Sequence, residues 1–352
     1  MVELLGEGNF AALIGGVGGI LLGLAARLGR FCTLGAIEDH VYSSNDTRLR
    51  MWGMAIGLSV CATFVLSALG LVAETQTFYL RVEAQPIVSI IGGLIFGYGM
   101  AIAGNCGYGA LARLGGGDLR NFVIVAVIGV ATYATFSGPI AWARLAIFPD
   151  RTEADAPAGI AHVLSGATGI PTSAIGIVIG LAIVAITLSS KDFRSDAKAL
   201  FWSAIVALAI VTAWVGMTYV NRVGFDDLTI VSHTFAAPIG ETILYAMTAT
   251  GQTLSFGIGS IAGVWVGAFV GSLIKGHFRW EACEDPRELR RQIIGAGLMG
   301  VGAALSLGCS FGQGLSAMSV LALSAALTLA GIYLGARLGL KQLVEGRLAW
   351  GL

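Results

Sequence analysis

The chain has 352 residues, of which 56% are hydrophobic and 12% charged, with 21 basic and 21 acidic side chains. Soluble domains carry about 25% charge, so this composition excludes an ordinary soluble enzyme. A net charge of zero leaves no electrostatic footprint for a nucleic acid. Glycine supplies 51 residues, about twice the usual share of about 7%. That excess suits helices packed closely in lipid, or backbone broken to line a cavity.

The chain opens MVELLGE, with no basic residue before its apolar run and no small-residue cleavage site, so a removable signal peptide is not expected. Apolar stretches of the length a bilayer core demands, roughly 20 residues, predict nine transmembrane helices. They lie near 9–28, 51–72, 86–104, 119–140, 173–190, 199–220, 254–274, 291–308 and 319–336. Four pieces too short to cross stand between them, at 31–45, 105–117, 233–248 and 309–318. The expected fold is an all-α polytopic membrane protein of nine crossing and four short re-entrant helices.

A shift of 203 residues sets LIFGYGMAIAGNCGYG (94–109) on GLMGVGAALSLGCSFG (297–312). Gly97 meets Gly300, Gly99 meets Gly302, Cys106 meets Cys309, Tyr108 meets Phe311 and Gly109 meets Gly312. The same register sets Glu38 on Glu241 and Tyr42 on Tyr245. The chain is therefore expected to divide into a first repeat at 1–145, an outer loop and linker helix at 146–198, a second repeat at 199–340 and a tail at 341–352. The linker helix makes the halves inverted, a common transporter plan. With the N-terminus outside, only Arg81, Arg144, Arg151 and Arg222 of the 21 Lys and Arg fall in outer loops. Cytoplasmic loops collect these residues, so the N-terminus is expected on the periplasmic side and the C-terminus in the cytoplasm.

The chemistry gathers at the breaks. A short helix starting inside the membrane turns free N–H groups and the positive end of its dipole toward a cavity, which suits an anion. Gly107 and Gly109, and Gly312 and Gly314, permit close backbone approach. Ser310 and Gln313 carry side-chain donors, and Gly240 and Thr242 mark the fourth break. Backbone around Tyr108 and Phe311 belongs to the same candidate site. Cys32, Cys106 and Cys309 fall at three of the four breaks, where the matching place in the fourth is Phe235. No nine-span interior holds an ionisable residue, so a carboxylate relay is not visible. The selective groups are then backbone dipoles, hydroxyls and sulfur, and polarisable sulfur suits a soft sulfur-bearing anion. Neither CxxC nor a Cys–His spacing supports a metal or a cofactor.

GRFC, GNCGYG and GCSFGQG, each placed after a glycine-rich span, resemble the YeeE/YedE family of sulfur transport proteins over nearly the whole chain. The resemblance implies a bacterial inner-membrane permease that takes up thiosulfate. It implies that Cys32, Cys106 and Cys309 line a narrow path and pass the anion along by transient thiol hydrogen bonds. It also implies a cytoplasmic sulfurtransferase partner of the rhodanese or TusA-like kind. Relatives tied to selenium and other sulfur species keep the substrate open. Two other classes stay in view: a membrane-embedded thiol enzyme, which lacks an adjacent resolving cysteine, and a Cu(I) carrier, which lacks Met or His clusters at the breaks.

Other residues take plainer roles. Cys61 is expected in the core and Cys283 in a solvated loop. Glu38 and Glu241 read as first-turn or interfacial acids on short helices. His40, His162, His233 and His277 read as loop or interfacial residues. Arg113 is expected to snorkel to the cytoplasmic surface. Trp52, Trp142 and Trp280 read as interfacial anchors.

Overall fold

The computed structural model describes residues 6–148, 152–225, 228–282 and 285–346. Cys283 lies outside them. The described chain is helical, and its only β-type pairings are isolated bridges. The first half runs α1 (Glu7–Leu28), α2 (Thr33–Tyr42), α3 (Thr47–Ala68), α4 (Pro86–Ala103), α5 (Gly107–Gly115) and α6 (Arg120–Phe136). The connection holds α7 (Pro139–Ile147), α8 (Ile160–Thr168) and α9 (Thr172–Thr187). The second half runs α10 (Ala197–Val223), α11 (Ala236–Thr248), α12 (Phe256–Ile274), α13 (Pro286–Leu305), α14 (310–319) and α15 (Leu323–Glu345). The middle of α14, Gly312–Ala317, is a π-helix.

A helix stands at each of the nine places the apolar runs mark. By length and composition, six described spans can cross a bilayer, or seven if α6 and α7, bent by 55°, count as one. The two others fall short for physical reasons. Sixteen residues of α9 reach about 24 Å at 1.5 Å per residue, against a core of about 30 Å. The first two turns of α13 carry Arg287, Glu288, Arg290 and Arg291.

Glycine sets how closely the long helices meet. A Cβ at Gly259 would lie 1.9 Å from the Ala12 carbonyl, at Gly263 2.2 Å from that of Gly16, and at Gly267 2.2 Å from that of Ile20. From the other side, Gly15 and Gly19 face the carbonyls of Phe256 and Ser260 at 2.2 and 2.4 Å. So α1 and α12 touch backbone to backbone. The same device joins α4 to α15, where a Cβ at Gly97 or Gly335 would sit 2.1 Å from the carbonyl of Ile332 or Leu94. In lipid no hydrophobic force drives helices together, and close approach through small residues supplies the packing instead.

The 203-residue shift carries structure as well as sequence. It moves the starts of α2, α5 and α6, at 33, 107 and 120, onto 236, 310 and 323, where α11, α14 and α15 begin. It moves Gly104 (φ +77°), which ends α4, onto Leu307 (φ +54°). Packing follows: α1 on α12 corresponds to α10 on α3, and α4 on α15 to α13 on α6. The pairs α1 with α10 and α4 with α13 map onto themselves.

Replacing Gly259 by Val should force α1 from α12, at a cost of about 3 kcal/mol or more. Gly297→Val, with nothing within 4 Å of its Cβ position, should be tolerated. Yield of monodisperse protein and midpoint of thermal denaturation in detergent check the pair; equal behaviour would refute the backbone-contact account.

Candidate functional site

Each sequence-predicted cysteine occupies the N-cap position of a short helix, where the side chain accepts one of the first-turn N–H groups. Cys32 Sγ accepts from Gly35 N at 3.5 Å, Cys106 Sγ from Gly109 N at 3.4 Å, and Cys309 Sγ from Gly312 N at 3.4 Å. Sulfur here does what serine or aspartate usually does at a helix start, and a thiol that accepts in this way can still donate through its S–H. Helix geometry leaves the N–H groups of Gly107 and Tyr108, and of Ser310 and Phe311, without an intrahelical carbonyl.

The four helix starts meet. Phe235, which opens α11, donates its N–H to Cys309 Sγ at 3.3 Å, and the Thr234 hydroxyl lies 3.6 Å from the same sulfur. Thr33 Oγ1, at the start of α2, donates to Ser310 Oγ at 3.2 Å. Ser310 stands beside the Cys106 thiol, and Cys32 and Cys309 are close enough to act electrostatically on it. Cys106 and Cys309 are 1% and 2% exposed, so an anion meeting them must leave its water behind. Cys32 is half-buried.

An aromatic cluster closes around the sulfurs. Phe31 stacks on Trp52 at 4.9 Å, Phe311 lies 4.4 Å from Tyr108, and Phe235 lies 5.3 and 5.2 Å from Tyr108 and Phe311. The Tyr108 hydroxyl is anchored on the Leu22 carbonyl at 2.6 Å. Trp52 is therefore part of the core, not an interfacial anchor: it is 5% exposed, whereas Trp142 and Trp280 are 82% and 72% exposed.

Two cavities approach this cluster. The first, about 620 Å³, is lined by the start of α1, by Tyr79, Ser232, Thr234 and Glu241, and by the turn at Leu307–Gly308. The second, about 600 Å³, is lined by α2, α3, α9 and α15, with Thr33 and Trp52 at its inner end. Thr234 touches Cys309 from the first, and Thr33 touches Ser310 from the second.

Some sequence-predicted groups are committed elsewhere. Both hydrogens of the Gln313 amide nitrogen go to the carbonyls of Ser306, 2.6 Å, and Leu307, 3.3 Å, so this side chain pins the turn before Cys309. Thr242 Oγ1 donates to the Pro238 carbonyl at 2.7 Å inside its own helix. Gly240 packs against Tyr133 and Gly129 of α6. His233 is not interfacial: it is wholly buried, with Nδ1 2.6 Å from Ser260 Oγ. Arg113 is exposed, and its charge acts on Glu38. Cys61 is half-buried and donates to the Ile177 carbonyl at 3.8 Å.

Thr33, Thr234, Tyr79, Trp52 and Phe31 were not singled out from sequence as site residues. Thr33 and Phe31 flank Cys32, so that break carried a signal for them. Tyr79 carried none. It is placed by Gly312, where a Cβ would lie 2.4 Å from Thr234 Oγ1 and 3.0 Å from the Tyr79 hydroxyl.

Comparison with known proteins decides the family, because the sulphur transport family matches residues 28–338. The chain belongs to that YeeE/YedE family. It is 26% identical over 317 residues to the thiosulfate transporter TsuA of Spirochaeta thermophila, covering 87% of this chain and 91% of that one. It is 25% identical over 327 residues to the thiosulfate transporter TsuA of Escherichia coli K12, covering 87% of each. With its apolar helices, the chain is a multi-pass membrane protein of a sulfur transport family, and both relatives are named as transporters.

Gly312→Ala should push the Thr234 hydroxyl away and cost about 1–3 kcal/mol of overpacking. In a Thr234→Ala background the nearest clash is gone, so the same substitution should cost clearly less. A double-mutant cycle on thermal inactivation in detergent reads the coupling; additive penalties would contradict the contact.

Proposed function

We propose that this protein carries thiosulfate, or a close sulfur dianion, across a bacterial inner membrane and acts as a transporter rather than an enzyme. The observation that carries the reading is the meeting of four helix starts at three cysteines between two cavities. The path is an hourglass. The anion enters the cavity at the N-terminal face, is met at the waist by Cys309, Cys106 and Cys32, and leaves past Thr33 on the opposite face. Unbonded N–H groups of the first turns of α5 and α14 bear its charge there. Neutral thiols donate weakly and are polarisable, which suits a terminal sulfur atom better than oxyanions alone. The N-caps support the order of roles: Gly107, Tyr108, Gly109, Ser310, Phe311 and Gly312 supply backbone, while Gln313, Gly240 and Thr242 hold their helices in place.

The architecture we propose is nine crossing helices and four re-entrant helices in two inverted halves, 1–145 and 199–340, joined by 146–198 and followed by the tail 341–352. Its support is the common 203-residue register of sequence, helix starts, left-handed turns and packing pairs. The Lys and Arg distribution supports a periplasmic N-terminus and a cytoplasmic C-terminus. A short crossing by α9 is accommodated by local thinning or snorkelling, at a modest cost. Delivery to a sulfurtransferase of the rhodanese or TusA-like kind is carried by the family resemblance alone.

In a strain dependent on thiosulfate as sulfur source, Cys309→Ala and Cys106→Ala should each lower uptake at least about tenfold at equal expression, in line with ~1.5–3 kcal/mol for a hydrogen bond to a charged group. Cys61→Ala should leave it within twofold (about 0.4 kcal/mol). Wild-type uptake by both waist variants would sink the relay.

A further inference from the structure

The end of α1 gathers positive charge from three elements. Arg27 stands in its last turn and Arg30 just beyond it, Lys275 caps the end of α12, and Lys198 lies in the first turn of α10. The elements are held together here. Lys275 Nζ donates to the carbonyls of Arg27 and Leu28 at 2.5 and 3.4 Å, and Arg27 Nε donates to Ser272 Oγ of α12 at 2.7 Å. A Cβ at Gly29 would lie 2.5 Å from the Trp202 ring, and Lys198, four residues before Trp202, shares its face of α10. Arg27, Arg30 and Lys198 are accordingly all close enough to act on the Lys275 charge.

Acids do not offset the cluster. Among the described residues none of the four cations forms an ion pair. Asp196 spends its carboxylate on the N–H groups of Lys198 and Ala199, at 3.1 and 3.0 Å. Glu281 acts on Arg27 but also lies 3.7 Å from Arg120, and the charge of Arg113, which acts on Arg27 too, is shared with Glu38. Along α1 an exposed apolar stripe of Leu13, Val17 and Ile20, at helical spacing, runs toward the cluster. The helices packed on α1 add exposed apolar side chains, Phe201 and Leu208 on α10 and Val270 on α12.

We propose that this cluster binds the headgroup of an anionic phospholipid whose acyl chains lie along the apolar face of α1. A phosphate diester supplies the negative charge that Arg27, Arg30, Lys198 and Lys275 lack. Headgroup depth in a bilayer is where α1 and α12 end and α10 begins, and basic pockets between such helix ends hold lipid phosphates. The stripe gives the chains a surface that a free anion would not use. One bound lipid would bridge α10, α1 and α12 just before the break at Cys32. Such a site needs only that the helices span a bilayer, whatever the protein carries.

The test is titration of the detergent-solubilised protein with phosphatidylglycerol and, separately, phosphatidylcholine, reading bound lipid by native mass spectrometry. Wild type should hold phosphatidylglycerol at least about tenfold more tightly. Arg30 and Lys198 are exposed, and their side chains make no hydrogen bond among the described residues. Arg30→Gln with Lys198→Gln should therefore weaken phosphatidylglycerol roughly 25-fold, about fivefold per cation, and leave phosphatidylcholine unchanged. Each single variant should show its own fivefold loss (about fivefold), which decides the matter if the pair does not fold. Arg337→Gln, an exposed cation on α15, should bind as wild type does. Equal retention of the two lipids by wild type, or wild-type retention of phosphatidylglycerol by the double variant, would overturn the proposal. So would displacement of phosphatidylglycerol by an equal concentration of inorganic phosphate, which would mark a site for a free anion.

Discussion

A helix that starts away from bulk water leaves N–H groups that must be bonded or put to use, because an unsatisfied backbone donor in a dry interior costs free energy comparable to a lost hydrogen bond. Here α2, α5, α11 and α14 all start against one another. Three of them bond one first-turn N–H to a cysteine sulfur that belongs to the same helix start. At the fourth, α11, the Phe235 N–H reaches across to Cys309 instead. One residue type thus caps the helices and lines the place where they meet. The sulfurs of the candidate path are fixed by backbone hydrogen bonds and need no flexible side chain to hold them.

That meeting point needs a frame that brings four chain breaks together without slack. The frame is glycine-made. Backbone contact between α1 and α12, and between α4 and α15, leaves no side-chain layer whose repacking could let the helices slide. The second half reaches the same arrangement with different local means. Gly104 takes the left-handed turn after α4 at no steric cost, whereas Leu307 takes it after α13 at about 1–2 kcal/mol. The two bonds from Gln313 to the carbonyls at 306 and 307 hold that strained turn. The first half has no such clamp, and with glycine at the turn it needs none.

Much of this frame was legible in the sequence. Apolar length marks the long helices, and glycines flanking Cys106 and Cys309 mark the breaks. A fixed register of 203 residues ties the halves together before any coordinate is known. Less was legible where partners are far apart in the chain. The place of Tyr79 depends on the space that Gly312 leaves, and Trp52 stacks on Phe31 only because α2 starts where it does. Its place at a helix start makes Gln313 read as a donor for an anion. The end of α13 lies beside it and offers carbonyls that a helix C-terminus leaves unbonded. Thr242 likewise answers to its own helix, as mid-helix threonines commonly do. His233 sits next to a break and reads as interfacial, yet α1 and α12 cover it, a consequence of glycine packing that local pattern does not contain.

The shared register also isolates what the two halves do not share. Where one half has Cys32 at a helix start, the other has Phe235; Arg113, Asp39 and Arg48 stand beside Glu38, whereas Glu241 makes no ion pair among the described residues. A symmetric frame carrying identical chemistry would present the same environment to an anion from either face, and nothing in it would distinguish entry from exit. The departures remove that equivalence. An aromatic ring in place of a fourth thiol leaves Cys309 as the sulfur that Thr234 connects to the first cavity. The fold thus gives two related halves, and a few non-matching residues make them unequal.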